Sequence, residues 1–311
     1  MADALYAGID VSKGWCDVAL EAGDTPARFE QTAQGREELV QWLRQRGVSH
    51  AVLEASGGYE RPVLRALDRD GINACLVPPH RVRALARAAG RGAKTDALDA
   101  RVLAAFGRLL QPRVHAAHDE HVRALAALVR RRRQVVELLT IEETRRQQED
   151  DEGILADIAA VRTMLAGQLD VIDRRIATII KASDGLREKH AVLARYHGVG
   201  PVTAAVLLAE MPELGSLDAK QVASLAGLAP FNNDSGIAQG KRTIQGGRVG
   251  VRCALFMAAL SAIRCNAEIR TFYKRLRDNG KPQKVAHIAA ARKMIVILNA
   301  MLRDAKPAVV A

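Results

Sequence analysis

Short apolar runs separated by turn residues open the chain. Residues 5–11 and 15–21 are apolar or alternating runs joined by Ser12-Lys13-Gly14, a pattern typical of a β-hairpin. A third run, at residues 27–32, would complete an antiparallel meander. Two predicted helices and two predicted strands then alternate, at 35–46, 50–53, 61–70 and 73–77. A meander continued by crossover units predicts a mixed sheet with helices on its faces, the layout of a ribonuclease H-like domain.

The rest of the pattern is helical. Arg130–Arg133 belong to a basic helix that is predicted to end near residue 146, and a polar turn follows it. A seam of apolar residues then repeats at spacings of three and four: Ile154, Ile158, Val161, Leu165, Leu169, Ile172, Ile176 and Ile179. This spacing predicts two antiparallel helices of coiled-coil type.

The helical pattern breaks at Ser183-Asp184-Gly185 and resumes in a C-terminal part. Helices are predicted there at 248–264, 267–277 and 283–304. The expected fold class is therefore α/β plus all-α. We predict a mixed-sheet domain at 1–113, a helical hairpin spacer at 114–185 and a helical domain at 186–311.

Composition indicates a polyanionic partner. The 311 residues carry a formal net charge of +11, spread over several segments, which favours nucleic acid over a membrane surface. The four cysteines form no metal-ligand spacing and suit a reducing compartment. The longest apolar run, at 254–263, is far shorter than the ~20 residues of a membrane span, and no signal peptide is evident. We therefore expect a soluble, cytoplasmic protein without membrane contact.

Four acids fall at the ends of predicted elements. Asp10 ends the first strand and Glu54 ends the fourth, while Asp96 and Asp99 lie three apart at a helix start, after Thr95 as a candidate N-cap. Each acid alone has an ordinary explanation, as a turn cap, a rim residue or a helix-start acid. Converging carboxylates, however, need cations and suit Mg²⁺ or Mn²⁺, which support phosphodiester chemistry.

A polar, glycine-rich segment in the C-terminal part presents Ser235 between Asp234 and Gly236. Three cations follow it closely: Lys241, Arg242 and Arg248. An anionic group could approach the backbone there and meet these charges, and the serine would then be a candidate nucleophile towards phosphate. Taken alone, the segment fits a surface loop with solvated charge better than it fits a catalytic site.

Two further features are candidates for nucleic-acid contact. Gly198 and Gly200 resemble the hairpin of a helix-hairpin-helix, whose backbone amides approach phosphates, although a helix start at Pro201 is a competing interpretation. A basic set near the C-terminus could hold DNA or simply aid solubility: Arg270, Lys274, Arg275, Arg277, Lys281 and Lys284.

The motifs together resemble one known family. They are Gly8-Ile-Asp-Val-Ser-Lys13, Leu53-Glu-Ala-Ser-Gly-Gly-Tyr59, Lys94-Thr-Asp-Ala-Leu-Asp-Ala100, Leu225-Ala-Gly-Leu-Ala-Pro230 and Asp234-Ser-Gly236. In this order they look like the insertion sequence 110 family of transposases, which includes pilin-gene invertases. The resemblance runs from about residue 5 to residue 303, so it covers nearly the whole chain.

The resemblance implies a role for each half of the chain. Asp10, Glu54, Asp96 and Asp99 match the family's DEDD metal-binding tetrad in a RuvC-like domain, and Ser235 matches its catalytic serine. It further implies a guide ("bridge") RNA that pairs with donor and target DNA, and a homodimer or homotetramer whose spacer serves assembly. Phe231-Asn232-Asn233 departs from the more basic sequence that the family leads us to expect, so the resemblance does not extend to substrate contacts at these three residues.

The predicted function is DNA recombination for the movement of a mobile element, through a metal-assisted serine nucleophile and a covalent phosphoserine intermediate. Two alternatives remain open. A Holliday-junction resolvase or metal-dependent nuclease would use the four acids to activate water and would not need Ser235. A noncatalytic nucleic-acid-binding protein would need neither set of residues.

Overall fold

The computed structural model describes residues 4–21, 25–90, 96–115, 119–231, 234–235, 238–239 and 242–305; within these ranges the side chains of 96–98, 234–235 and 238–239 are left aside. Two compact units divide the chain, Met1–Ala117 and His118–Ala311. The division lies close to the predicted domain boundary after residue 113. The assignment of three functional domains stays a prediction.

The first unit is built on a five-stranded mixed sheet. Its strands are β1 (Tyr6–Val11), β2 (Trp15–Leu20), β3 (Ala27–Glu30), β4 (His50–Glu54) and β5 (Asn73–Val77). They lie in the order β3-β2-β1-β4-β5, in which β1, β2 and β3 pair antiparallel and β1, β4 and β5 pair parallel. The predicted meander with crossover connections is confirmed, and the layout is that of a ribonuclease H-like domain.

Helices cover both faces of this sheet. They are α1 (Ala33–Gln45), α2 (Glu60–Arg69), α3 (Pro79–Ala88) and α4 (Asp96–Leu110). Ile9 and Leu53 share a buried cluster with side chains of α1 and α2, which defines the α1 face of the sheet. Val52 and Val77 share a second cluster with α3 and α4, which defines the α4 face. Alternate residues of one strand therefore point to opposite faces.

Two glycines let α4 lie directly against the sheet. A Cβ added to Gly8 of β1 would overlap the carbonyl oxygen of Ala100 and the backbone of Ala104. A Cβ added to Gly107 would overlap the Tyr6 ring and lie 2.8 Å from Cγ2 of Val52. Residues later in α4 thus meet residues earlier in β1. The helix consequently runs antiparallel to β1, and it begins beside the end of β1 that carries Asp10.

Among its described residues, the second unit is mainly helical and has four two-residue strands. Its helices are α5 (Glu120–Arg146), α6 (Glu152–Ala182), α7 (Asp184–Ala194), α8 (Pro201–Glu210), α9 (Ala219–Leu225), α10 (Val249–Cys265), α11 (Ala267–Asp278) and α12 (Gln283–Asp304). Ser183 ends α6 and its side chain accepts a hydrogen bond from the N–H of Leu186, so it also begins α7. The predicted break at Ser183-Asp184-Gly185 is confirmed.

Helices α5 and α6 form an antiparallel hairpin. Arg132 Nε lies 2.7 Å from Asp173 Oδ1, and Arg162 Nη2 lies 2.9 Å from Glu143 Oε2. The two ion pairs are eleven residues apart on both helices (143 − 132 on α5, 173 − 162 on α6), with opposite chain directions. Asp151 caps the start of α6 with a hydrogen bond from the Ile154 N–H, after the predicted polar turn.

The apolar seam of α6 divides between two environments. Ile158, Leu165, Ile172 and Ile176 are buried in the helical core, and Leu169 and Ile179 pack partly buried against it. Ile154 and Val161, by contrast, are exposed, together with Met164 and Val171. The second set recurs at the i, i+3 and i+7 spacings of one helix face. We call Ile154, Val161, Met164 and Val171 the outer stripe of α6.

Helix α12 runs through the core of the second unit. Its buried residues include His287, Met294, Leu298 and Asn299, and the Asn299 side chain accepts from Gly215 N and donates to Leu217 O. Among the described residues α12 alone is, as a single helix, long and apolar enough to cross a membrane, and half of its most apolar stretch is buried in the protein. Helices α10 and α11 pass the same test only when taken together, and they are bent by 98°. The burial of α12 fits a core helix.

Candidate functional site

Sheet register brings the predicted acids of the first unit to one face. Gly8 and Val52 pair across β1 and β4, and both face α4. Asp10 and Glu54 each lie two residues further along the same strands, so their side chains leave the sheet on the same face. Asp99 precedes Ala100, which contacts Gly8, at the beginning of α4. The strand ends and the helix start thus carry these three acids to one edge of the α4 face.

The donor chemistry of this edge fits a hard divalent cation, because it offers carboxylate oxygens from two strands and a helix start. Asp10, Glu54 and Asp99 are each partly buried and each has an interaction partner within the protein. In the described part of the chain, no three Asp, Glu, His or Cys side chains are gathered closely enough to hold a metal ion. Asp96 begins α4, but its side chain lies outside the described set. The acids share a face without forming a closed ligand group.

A fifth carboxylate, which the sequence analysis did not single out, faces the same side of the sheet. Asp17 of β2 pairs directly with Asp10 across the antiparallel ladder, and paired residues point to one face. Arg28 of β3 is opposite Asp17 and binds it through two hydrogen bonds, of 2.8 Å from Nε and 3.1 Å from Nη2. The sequence did not predict this ion pair, because its partners lie 11 positions apart on two different strands.

Glu60 organises the loop that follows Glu54. Its Oε2 accepts hydrogen bonds from Ser56 N, Ser56 Oγ and Gly58 N at 2.8–3.1 Å. The side chain is buried, and burial alone would raise its pKa. The hydrogen bonds outweigh burial and lower the pKa of Glu60 below its ordinary value. Gly57 and Gly58 adopt positive φ angles of 72° and 117°, which lets the loop curl around this carboxylate.

Replacing Glu60 with glutamine is expected to destabilise the first unit by about 1–3 kcal/mol near pH 7, the usual effect of losing hydrogen bonds to a charged acceptor. Because the pKa of Glu60 is lowered by folding, its stabilisation is present above the ordinary carboxyl pKa of 4.5 and is lost as pH falls through the folded value. Urea unfolding between pH 3 and pH 7 measures the free energy of unfolding. This free energy should fall less steeply towards low pH in Glu60→Gln than in wild type. The same pH dependence in both proteins would contradict the stabilising role of the Glu60 carboxylate.

In the second unit, the predicted serine segment is not a simple loop. β6 (Pro230–Phe231) pairs antiparallel with β9 (Thr243–Ile244), and β7 (Asp234–Ser235) pairs antiparallel with β8 (Ala238–Gln239). Ser235 is therefore the last residue of β7, opposite Ala238, with two residues between them. The backbone pairing places Ser235 at the tip of a hairpin, a detail that the polar, glycine-rich sequence alone did not give.

Close backbone packing clamps the base of this hairpin. Gly227 and Gly247 have φ angles of 67° and 64°, and a Cβ on Gly247 would overlap the backbone of Gly227. Arg252 Nη1 donates to the carbonyl of Gly246 at 2.7 Å. Arg248 binds Glu213 through two hydrogen bonds of 2.7 Å. Both ends of the segment that carries Ser235 are thus fixed to the helical core.

Alanine at Gly247 is expected to separate the two ends of the clamp. Gly246 supplies the matched control, because its φ of 65° is nearly the same but an added Cβ meets nothing within 4 Å. Gly246→Ala should cost only the strain of a left-handed alanine, about 1–2 kcal/mol, whereas Gly247→Ala adds the overlap with Gly227 and should cost several kcal/mol. Urea unfolding measures both variants. Equal losses would show that the clamp is unimportant.

The remaining nucleic-acid candidates have different surroundings. Gly198, with φ of 105°, packs against Ala262 of α10, whereas Gly200 is exposed and precedes Pro201 at the start of α8. Arg242 and Lys274 are exposed. Lys241 lies outside the described residues. The predicted role of Arg248 in binding nucleic acid stays a prediction, and its observed contact is the ion pair with Glu213.

Comparisons with known proteins give one family match in the N-terminal part of the chain and one in the C-terminal part. Residues 7–148 match the family profile of the IS110-type DEDD transposases, described as a transposase. Residues 190–274 match the profile of the transposase family IS116/IS110/IS902. The first match contains all four acids, and the second contains Ser235 and its clamp. The two matches therefore cover both parts of the chain in which the sequence placed candidate site residues.

Individual relatives point the same way. The chain is 28% identical to the pilin gene-inverting protein of Moraxella bovis over 97% of both chains. It is 35% identical, over 45% of its own length and 36% of the relative's, to the 43.6 kDa protein of insertion element IS110 from Streptomyces coelicolor. It is 38% identical, over 38% of its length and 31% of the relative's, to the 42 kDa protein of insertion element IS900 from Mycobacterium paratuberculosis. The chain belongs to the IS110 family of transposases, and it is a DNA recombinase.

Proposed function

We propose that this recombinase cuts and rejoins DNA through a covalent bond between Ser235 and a DNA phosphate, assisted by divalent metal at the acidic edge. The observation that carries the proposal is the presentation of Ser235 at the tip of a hairpin whose base is clamped by Gly227, Gly247 and Arg252. A nucleophile must approach phosphorus along one line, and a clamped hairpin holds its backbone ready for that approach.

The covalent step conserves the phosphodiester. The Ser235 oxygen forms a bond to phosphorus, the bond from phosphorus to one deoxyribose oxygen breaks, and the serine proton is taken up by a base while the leaving oxygen gains a proton. A hydroxyl of a second strand then attacks the phosphoserine, and the serine oxygen leaves and regains its proton. One ester bond is exchanged for another in each step, so joining requires no nucleotide hydrolysis.

Asp10, Glu54, Asp96 and Asp99 would hold Mg²⁺ or Mn²⁺. Bound metal would neutralise charge on the phosphate and stabilise the leaving oxygen. In this proposal, two of the carboxylates belong to the ends of β1 and β4, and the other two belong to the start of α4. Because the three described acids share a face without forming a closed group, we expect metal and DNA to bind together.

The partners follow from charge and family. DNA is the substrate, as donor and target. We further propose that a guide RNA aligns the two DNA molecules and that the protein works in the cytoplasm. We also propose that it acts as a homo-oligomer, dimer or tetramer, in which the outer stripe of α6 packs against a second copy. This stripe supports the proposal because four large apolar residues are exposed along one face of a long helix.

Glutamate at Met164, in the centre of the outer stripe, is expected to shift the protein towards monomer, because association would bury the new charge. Ala166 is also exposed on α6 but lies outside the stripe, so Ala166→Glu is the matched control. Sedimentation velocity at several protein concentrations measures both. Equal oligomer distributions for Met164→Glu and wild type would contradict assembly through the stripe.

A strand-exchange assay tests the proposed function. Wild-type protein is incubated with Mg²⁺, donor and target DNA and the RNA of the element, and products are separated on denaturing gels before and after protease treatment. Recombinant DNA together with protease-sensitive DNA of low mobility is expected. Cleavage without any protein-linked DNA would favour a metal-dependent nuclease or resolvase, and binding without any cleavage would favour a noncatalytic protein.

A further inference from the structure

An exposed tryptophan and an arginine lie together beside the acidic edge of the sheet. The Trp15 side chain is 44% exposed, and Cζ of Arg28 lies 5.9 Å from the centroid of its ring. Arg28 itself is 51% exposed although Asp17 binds it through two hydrogen bonds. We call Trp15 and Arg28 the Trp-Arg corner.

Register places this corner on the α4 face. Trp15 and Asp17 are two residues apart on β2, so they point to the same face, which is also the face of Asp10. Hydrogen bonds between Trp15 and Ser12 hold Trp15 at the turn that follows Asp10. At this end of the sheet, four side chains therefore lie in a row on adjacent strands: Glu54 on β4, Asp10 on β1, Asp17 on β2 and Arg28 on β3.

The chemistry of the corner suits an unpaired nucleotide. A large exposed aromatic ring offers a surface on which a base can stack, and an arginine fixed by a carboxylate offers a preorganised cation for a phosphate. The faces of bases in a duplex are covered by their neighbours, so stacking on Trp15 requires a base outside the helix. A polyanion is also favoured by the protein's net charge of +11.

We propose that the Trp-Arg corner binds a single-stranded segment of DNA next to the phosphate that is cut. One base stacks on Trp15 and an adjacent phosphate contacts Arg28, while Asp17 positions the guanidinium. The proposal rests on the proposed function, because it takes the acidic edge as the place of cleavage. The bound DNA is then a locally unpaired strand, which leaves the site across β2 and β3.

The test measures binding of the full-length protein to a fluorescent oligothymidylate longer than the ~16 nucleotides of large single-strand sites, in EDTA so that no cleavage occurs. Trp15→Ala is expected to weaken binding by about 5- to 100-fold, the usual effect of removing one stacking platform. Arg28→Gln should reduce the slope of log affinity against log salt by about 0.7, corresponding to one phosphate contact.

The other face of the sheet offers a matched control. Cζ of Arg46 lies 4.0 Å from the ring centroid of Trp42, which packs against the core of the α1 face. Arg46→Ala removes the same charge from a second Trp-Arg pair and should leave binding and its salt slope close to wild type. Since Arg28→Gln leaves buried Asp17 without its ion pair, the double variant Asp17→Asn/Arg28→Gln repeats the measurement in a protein whose fold is checked by circular dichroism.

A second readout is the fluorescence of Trp15 itself. In a Trp42→Phe background Trp15 is the only tryptophan, and its emission should be quenched by the oligothymidylate and less by the same sequence as a duplex. Unchanged emission and unchanged affinity of Trp15→Ala would overturn the proposal, as would stronger quenching by an oligouridylate, which would assign the corner to RNA. Trp15-dependent binding in a protein that forms no covalent DNA complex would instead overturn the proposed function alone.

Discussion

Replacing Ser235 with alanine is expected to abolish the protein–DNA adduct and to lower strand exchange by about 10⁵- to 10⁶-fold, the scale on which enzymes lose activity without their nucleophile. The variant removes a single oxygen. The hairpin that carries Ser235 is held by backbone pairing with Ala238 and by the clamp at Gly227 and Gly247, none of which uses the hydroxyl. DNA binding should therefore persist.

Ser224 provides the control for this substitution. It is exposed on α9, in the same unit, so Ser224→Ala removes a hydroxyl outside the proposed site. Its strand exchange should match that of wild type. If Ser235→Ala recombines DNA at the wild-type rate, Ser235 is not the nucleophile. Loss of adduct together with retained cutting would instead assign cleavage to activated water and support the nuclease alternative.

Replacing Asp10 with asparagine is expected to reduce strand exchange by at least about 10³-fold, because metal ions contribute several kcal/mol to phosphoryl transfer and each 1.36 kcal/mol corresponds to a factor of ten. The same variant should bind Mn²⁺ more weakly in isothermal titration calorimetry. Asparagine keeps the size of the side chain while it removes the negative charge, so the close packing of Gly8 against α4 should remain intact.

Glu37 supplies a charge-matched control for Asp10. It is exposed on α1, which covers the opposite face of the sheet from α4. Glu37→Gln should leave Mn²⁺ affinity and strand exchange unchanged. Full activity of Asp10→Asn would contradict a metal role for the acidic edge, and equal loss in both variants would trace the effect to net charge.

The sequence was most informative about the first unit. Alternation of apolar residues predicted the strands. Because side chains alternate between the two faces of a strand, Asp10 and Glu54 must lie on the α4 face once Gly8 and Val52 are known to face α4. The long-range contacts were not visible in any local pattern. Asp17 and Arg28 meet only because β2 and β3 pair in one register, and no local sequence pattern indicated that Trp15 is exposed.

The serine segment shows a different limit. Its four strands have two residues each, too few for any periodicity to appear, so the sequence predicted a loop. Gly227 and Gly247 are 20 residues apart, and their close approach is set by tertiary packing. Ser235 was found as a candidate through its polar surroundings and the family resemblance. Its position at a hairpin tip required the structure.

The most direct test of the central claim is mass spectrometry of the protein after reaction with DNA and Mg²⁺. The adduct is digested with nuclease and protease, and the modified peptide is sequenced by fragmentation. The account predicts a nucleotide-linked phosphate on the oxygen of Ser235 and no such adduct in Ser235→Ala. DNA that is cut and rejoined with the phosphate attached to another residue, or to none, would contradict it.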